Sequence, residues 1–448
     1  MSIIGKIRGN YWARSGILNL FQNFASVAFG FGSFYFLVRM LTKHDYGVWG
    51  LFLATIAVFA MARNGMLMTA TIKFIAGAKS EEEKRQLIAT TLAMNLIMTG
   101  ILIAILASIA PFLSNIWESP ELTPMLWLFG FSFIFSSLQM HFNCIEQAYL
   151  NFKGSVFTQI MYNGLFFLVV LYHYINDGEV TLMELIYANM LANVLATVPS
   201  VYYVRKRIEF KAFINFAWAK KIFHFGKYSM GTSINAILSD TIDQMMIAGL
   251  LSASNAGVFN VASRISTLAN IPTNAMASIL FPQGAKRLEE EGPHVLKYLY
   301  EKSVGTLMAM MVPAVIFMYA TSNYLIDFIA GDKYEESLPL LKITLFYCLF
   351  MPFSRQMGTI LDSIGKTRLN FIMVFSSGVC NVALNYIFIT RWGVLGAAFA
   401  TLTTYILFFI GSQIILRKIL NVNILNVWKY STEFYPEMYR KFLKKNED

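Results

Sequence analysis

Residues 204–227 read VRKRIEFKAFINFAWAKKIFHFGK, with Arg205, Lys206, Arg207, Lys211, Lys220, Lys221 and Lys227 set between two long apolar regions. This is the longest basic connector in the chain and it lies midway. Six apolar segments precede it, at roughly 15–38, 46–76, 87–110, 124–143, 154–173 and 181–203. Six more follow, at roughly 226–250, 256–281, 303–322, 337–354, 367–390 and 394–416. About 20 apolar residues in a helix span the hydrocarbon core of a bilayer. The twelve segments and their connectors use nearly all of the 448 residues, which leaves no room for a separate soluble domain.

The distribution of charge gives the orientation. Of 36 Lys and Arg residues, 28 fall in 1–14, 77–86, 144–153, 204–227, 282–302, 355–368 and 417–448. The alternate connectors 39–45, 111–123, 173–180, 251–255, 323–336 and 391–393 hold only four. Loops that stay cytoplasmic carry the excess of Lys and Arg, so the alternation implies an even number of crossings with both ends in the cytoplasm.

Composition agrees. Hydrophobic residues make up 56% of the chain and charged residues 14%, against about 25% charged in soluble domains. The net charge of +10 sits on the cytoplasmic rim, where it meets anionic lipid headgroups, and does not point to a nucleic acid. Cys144, Cys348 and Cys380 show no Cys-x-x-Cys spacing, and the five histidines are scattered. No disulfide framework, metal site or catalytic thiol is expected. The run from Ser15 to Val38 is too long for a signal-peptide core, and no small-residue cleavage pattern follows it. It is expected to stay as the first helix.

The halves repeat one another. Leu41–Trp49 (LTKHDYGVW) joins the first two segments and Leu251–Phe259 (LSASNAGVF) joins the seventh and eighth, with Gly47-Val48 matching Gly257-Val258. Asn64 and Asn274 match at the same offset. Six crossings per copy make this a parallel repeat, related by an axis along the membrane normal. The expected division is 1–203 as an N-terminal six-helix lobe, 204–225 as a cytoplasmic linker, 226–416 as a C-terminal six-helix lobe and 417–448 as a basic cytoplasmic tail.

Three stretches carry a family resemblance: Arg39-Met-Leu-Thr-Lys-His-Asp45-Tyr46-Gly47-Val48-Trp49, Asn64-Gly65 with Lys73-Phe-Ile-Ala76, and Gly257-Val-Phe259 through Arg264-Ile265, Pro272 and Phe281-Pro282. Leu361 to Lys366 and Trp392 to Ala398 fit as well. The chain resembles the polysaccharide-biosynthesis (O-antigen-type) flippases of the multidrug/oligosaccharidyl-lipid/polysaccharide exporter superfamily, over residue 10 to about 416. That resemblance implies an all-α integral membrane fold of twelve helices, in two six-helix lobes forming a V-shaped central cleft. It implies transport of an undecaprenyl-diphosphate-linked oligosaccharide across the bacterial cytoplasmic membrane by alternating access, with membrane lipids and the polysaccharide polymerase and chain-length machinery as partners. It implies no covalent catalysis and no cofactor beyond a coupling Na⁺ or H⁺. The alternatives are a drug or metabolite antiporter of the same superfamily and, from another class, a membrane polysaccharide polymerase or glycosyltransferase. The longest outer connector, 323–336, is too small for a catalytic domain.

Charge within the membrane costs about 2.5–3.5 kcal/mol on insertion scales and marks function by default. Arg264 lies near the middle of the eighth segment. A guanidinium pairs with phosphate oxygens through two parallel bonds, and the resemblance places Arg264 where lipid II flippases carry a central arginine. The structural alternative is an ion pair with Asp240 or Asp243. Those two carboxylates, three residues apart on one helix, can share a proton or bind a cation, and the resemblance adds Asn381 and Asn385 of the eleventh segment to that site. Arg63 and Lys73 are expected to reach toward cytoplasmic headgroups or to meet substrate on its way in. Gln22 and Asn23 can bond sugar hydroxyls or join helices. Pro272, Pro313 and Pro352 are expected bending points.

Overall fold

A computed structural model describes residues 11–176, 178–205, 207, 214–277, 280, 287, 291–292 and 294–444. Lys6, Arg8, the connector residues 208–213 and residues 281–286 lie outside the described residues. The elements are α1 (Tyr11–Met40), α2 (Lys43–Ala76), α3 (Glu81–Ile116), α4 (Leu122–Ala148), α5 (Lys153–Asn176), α6 (Leu182–Val204), α7 (Phe216–Leu250) and α8 (Ala253–Thr267). They continue as α9 (His294–Ala320), α10 (Ser322–Ala330), α11 (Ser337–Cys348), α12 (Met351–Ser363), α13 (Thr367–Trp392), α14 (Val394–Leu420) and α15 (Ile424–Lys444). Among the described residues there is no strand.

Ten spans are long and apolar enough to cross a membrane: α1 to α6, α9, α11 with α12, α13 and α14. The other two expected crossings are α7 and the α8 region. At 35 residues α7 is long enough, but Asn235, Asp240, Asp243 and Gln244 leave it too polar to meet the same criterion. The 15 residues of α8 run into a 3₁₀ turn at Leu268–Asn270, and helix resumes over 271–277. Pro272 explains the turn, because it has no N–H to return to the Leu268 carbonyl; the Ile271 N–H takes that carbonyl instead,. Pro352 likewise opens a new helix after the break at Leu349-Phe350, whereas Pro313 is carried inside α9.

The chain forms two compact units. The first comprises Met1–Thr241 with Ser252–Ser254, the second Ile242–Leu251 with Asn255–Asp448. The basic connector is shorter than its sequence suggests: Lys220, Lys221 and Lys227 already belong to the first turns of α7.

In the first unit side chains fix where helices begin. The Thr42 hydroxyl accepts the Asp45 N–H at 3.0 Å, and Ser80 does the same for Glu83 at 3.1 Å. Thr181 and Glu184 form a reciprocal capping box at the start of α6,. Buried Glu146 accepts the N–H groups of Gly154 at 3.1 Å and Ser155 at 2.6 Å, so its charge is spent on the start of α5. Met66, Leu67, Ile75, Leu87, Phe142 and Ile145 make the apolar core near that end.

In the second unit Leu296, Tyr300, Val304, Met357, Ile360 and Leu416 form an apolar core. Residues 417–448 are not a loose tail as far as they are described. Arg417 and Lys418 end α14, Asn421 terminates it with φ 54°, and α15 follows. At the other end of α14, Gly393 turns the chain with φ 60°, and Gly396 then lets the helix backbone lie against the Phe388 carbonyl, which a Cβ would strike. Gly396→Leu should therefore destabilise the protein by about 1–3 kcal/mol, read as a lower unfolding temperature in detergent. Gly411→Ala, where the nearest atom is Met373 Cε at 3.8 Å, should not lower that temperature, because alanine is the better helix former.

Candidate functional site

The second unit holds an ionisable group within a closed set of polar partners. Asp243 of α7 is 8% exposed. Its Oδ1 accepts the Asn385 amide at 2.6 Å, and its Oδ2 accepts the Thr401 hydroxyl at 2.6 Å. Asn381 and Asn385 are four residues apart on α13, which puts both on one face. The Asn385 amide also donates to the Asn381 carbonyl at 3.1 Å and to Asn381 Oδ1 at 3.0 Å. The Asn381 amide donates to the Thr401 hydroxyl at 3.2 Å. Three of the four residues expected from sequence are thus joined.

Thr401 was not expected. Threonines in apolar helices usually bond the carbonyl four residues back, as Thr404 does to Ala400, and nothing in the sequence sets Thr401 apart. Asp240, the fourth expected residue, is exposed on α7. One atom of the set lacks a bond. Asn385 is fully buried, yet its Oδ1 meets no donor. A buried acceptor left unpaired costs about 1–3 kcal/mol, so this oxygen is available to a cation or a water.

Arg264 lies eleven residues after Ala253, about 16 Å along the axis at 1.5 Å per residue,. It is exposed, and within its own unit, among the described residues, it makes no hydrogen bond or ion pair. Its surroundings on the helix are polar. Arg264, Thr267, Ile271 and Asn274 are all exposed at spacings of three, four and three, with Asn260 one turn earlier bonded to Gln244 at 2.8 Å. The exposed face of α3 is different in kind, consisting of Leu96, Ile97, Ile101, Ile105 and Phe112. A stripe of Arg, Thr, Ile and Asn, polar at three of its four positions, suits water or a polar solute, and one of Leu, Ile and Phe suits acyl chains,.

Arg63 departs from the headgroup-seeking role read from sequence. It is 3% exposed, with Nη1 bonded to the Phe133 carbonyl and the Ser136 hydroxyl, both at 3.3 Å, and Nε bonded to Asn64 Oδ1 at 3.3 Å. Its guanidinium also lies 4.4 Å from the centre of the Phe133 ring, an attraction that strengthens where water is excluded. It joins α2 to α4 inside the first unit. Lys73 is exposed, with Nζ 4.4 Å from the Phe225 ring centre. Gln22 is half-buried and Asn23 exposed on α1.

Such an arrangement of apolar spans, two polar helices and buried ionic partners defines a multi-pass α-helical membrane protein. The profile of the family described as polysaccharide biosynthesis protein matches residues 36–339, more than half of the chain. The chain belongs to that family. It is 24% identical over 191 residues to a probable low-salt glycan biosynthesis flippase of Haloferax volcanii, which covers 43% of this chain and 40% of the relative. It is 21% identical over 339 residues to a lipopolysaccharide biosynthesis protein of Escherichia coli (strain K12), covering 75% and 66%. These alignments span from two fifths to just under two thirds of the relatives' own lengths. Among solved structures, the lipid II flippase MurJ in an inward closed conformation superposes with a TM-score of 0.77 at 14% identity, over 96% of this chain and 93% of that one. The likeness establishes the shared fold.

The Asp243 set yields a direct test. Thr401→Val keeps the shape and removes one donor to a buried carboxylate, so thermal unfolding should show a loss of about 1–3 kcal/mol. Thr403→Val, one residue from Thr404 on the same helix, serves as the control. Equal stability of the two variants would show that the Thr401 contact does not hold Asp243.

Proposed function

We propose that the protein moves lipid-linked oligosaccharide repeat units, carried on undecaprenyl diphosphate, across the bacterial cytoplasmic membrane by alternating access between its two halves. The alternation of basic connectors supports a cytoplasmic location for both termini, and the product feeds the machinery that polymerises surface polysaccharide. No covalent step is involved. The observation that carries this reading is Arg264, a cation exposed on a polar stripe of a helix deep in the span, in a chain of the polysaccharide biosynthesis family.

The physical task suits such a residue. A diphosphate head cannot cross hydrocarbon unaided, because stripping its water without replacement costs far more than the head's other contacts return. A guanidinium that makes no ion pair within its own unit, among the described residues, can pair with two phosphate oxygens and restore part of that solvation. The polyprenyl tail needs no such help and stays among acyl chains. The neighbouring polar side chains Thr267 and Asn274 can bond sugar hydroxyls, with Gln22 and Asn23 of α1 as further candidates. Lys73, exposed at the basic end of α2, can attract the diphosphate through its charge,. Arg63, inside the first unit, acts by holding α2 to α4.

A coupling cation fits the Asp243 set. Asp243, Asn381, Asn385 and Thr401 supply one carboxylate and neutral oxygens, including the unpaired Asn385 Oδ1. A single negative charge among neutral hard oxygens matches Na⁺ better than a divalent ion, which draws more carboxylates. Bound there, Na⁺ would neutralise Asp243 and favour the arrangement of α7, α13 and α14 in which all four residues meet.

Two experiments separate the parts. In cells that depend on this protein for surface glycan, Arg264→Ala should abolish surface glycan and leave lipid-linked repeat units at the inner leaflet, with the protein at its normal level. Unchanged glycan in that variant excludes the assigned role of Arg264. In proteoliposomes of the wild-type protein, an imposed Na⁺ gradient should accelerate transport, and Asp243→Asn should lose that acceleration. Equal acceleration in the variant removes the cation site from these four residues.

A further inference from the structure

Residues 243 and 244 of α7 are adjacent and turned about 100° apart on the helix. Asp243 faces α13 and α14, where Asn385 and Thr401 satisfy it. Gln244 faces α8. Its Oε1 accepts the Asn260 amide at 2.8 Å, and the residue is 8% exposed. Its Nε2 is buried and, among the described residues, meets no acceptor. A buried donor left unpaired is costly to the fold. Asn260 holds the oxygen of this amide, so the nitrogen is the end left for a ligand.

The place of that nitrogen gives the ligand's chemistry. Asn260 and Arg264 are four residues apart on α8 and share one face. The Asn260 bond therefore brings the Gln244 amide to the turn before Arg264, and successive turns are about 5.4 Å apart. Two donor groups on neighbouring turns thus lack an acceptor within the second unit, among the described residues. No Asp or Glu occurs in α8. Asp243 is taken up on the other side of α7, and Asp240, one turn before Gln244, is counted with the first unit. Donors without acceptors select an acceptor-rich, anionic ligand. Two of them one turn apart fit two phosphoryl groups joined through a bridging oxygen.

We infer that Gln244 is a specificity-determining residue for the diphosphate: Arg264 pairs with one phosphoryl group and Gln244 Nε2 donates to the other, so that a diphosphate is preferred to a monophosphate. This rests on the pairing of Arg264 with the diphosphate and adds the second contact. A neutral amide suits the position, because a buried cation left without its anion would be strongly destabilising whenever the site is empty. Asp243 and Gln244 then divide the work of one turn of α7, the first toward a cation and the second toward an anion.

The test is equilibrium binding of fluorescent undecaprenyl diphosphate and undecaprenyl monophosphate to the full chain in lipid nanodiscs. Gln244→Met keeps the length of the side chain and removes the donor. It should weaken diphosphate binding about tenfold and leave monophosphate binding unchanged, whereas Arg264→Gln should weaken both. Diphosphate affinity equal to that of the wild type in Gln244→Met overturns the inference, and the amide is then closed by water or by packing alone. Where Gln244→Met loses both lipids together, Gln244→Glu decides, because its carboxylate still accepts from Asn260. A greater loss for the diphosphate than for the monophosphate in that variant sustains the inference, and an equal loss overturns it. Undiminished binding of both lipids by Arg264→Gln would instead remove the Arg264 assignment on which the inference rests.

Discussion

An ionised side chain inside the width of a bilayer must be solvated by something other than bulk water, and that constraint orders the whole structure. The protein meets it in two ways. Arg63 and Asp243 are compensated internally, the first by a carbonyl, a hydroxyl, an amide oxygen and an aromatic face, the second by an amide and a hydroxyl. Arg264 is exposed instead, on a stripe of polar neighbours. Ionic groups with full sets of internal partners hold helices together. A group left outward can be completed by a substrate, and the energy withheld from folding becomes available for binding.

The same constraint explains which helices look unlike membrane spans. The ten apolar ones can face lipid, and their exposed residues are Leu, Ile, Val, Phe and Met in number. In α7 and the α8 region polar residues remain exposed, which is tolerable only where water or a polar ligand reaches them. The interruption of α8 before Pro272 belongs here too, since a carbonyl freed from the helix ladder needs a new partner. Helix-breaking and polarity thus coincide in one part of the chain.

Much of the fold was legible in the sequence because bilayer thickness and the positive-inside rule act on long segments. Twelve apolar runs and alternating basic connectors give order and number without any tertiary information. The Asp243 set was partly legible. Acids and amides in apolar helices are rare enough to notice, whereas Thr401 was hidden because hydroxyls in such helices usually satisfy themselves. Arg63 was misread for a related reason: its position near the basic end of α2 says how far it lies from the surface, not which way its side chain turns. Residues 417–448 were read by charge alone, and the docked face of α15 becomes visible only through its contacts with Gly305 and Glu301 of α9.

The assignment of Arg264 to the diphosphate is tested most directly by equilibrium binding of a fluorescent undecaprenyl-diphosphate oligosaccharide to the purified protein in nanodiscs. Each lost charge-assisted pair is worth about 1.5–3 kcal/mol, so Arg264→Gln should weaken binding by about tenfold or more and Arg264→Lys by less. The corresponding oligosaccharide on an uncharged lipid should bind equally to all three proteins. Undiminished affinity of Arg264→Gln for the diphosphate form would contradict the assignment.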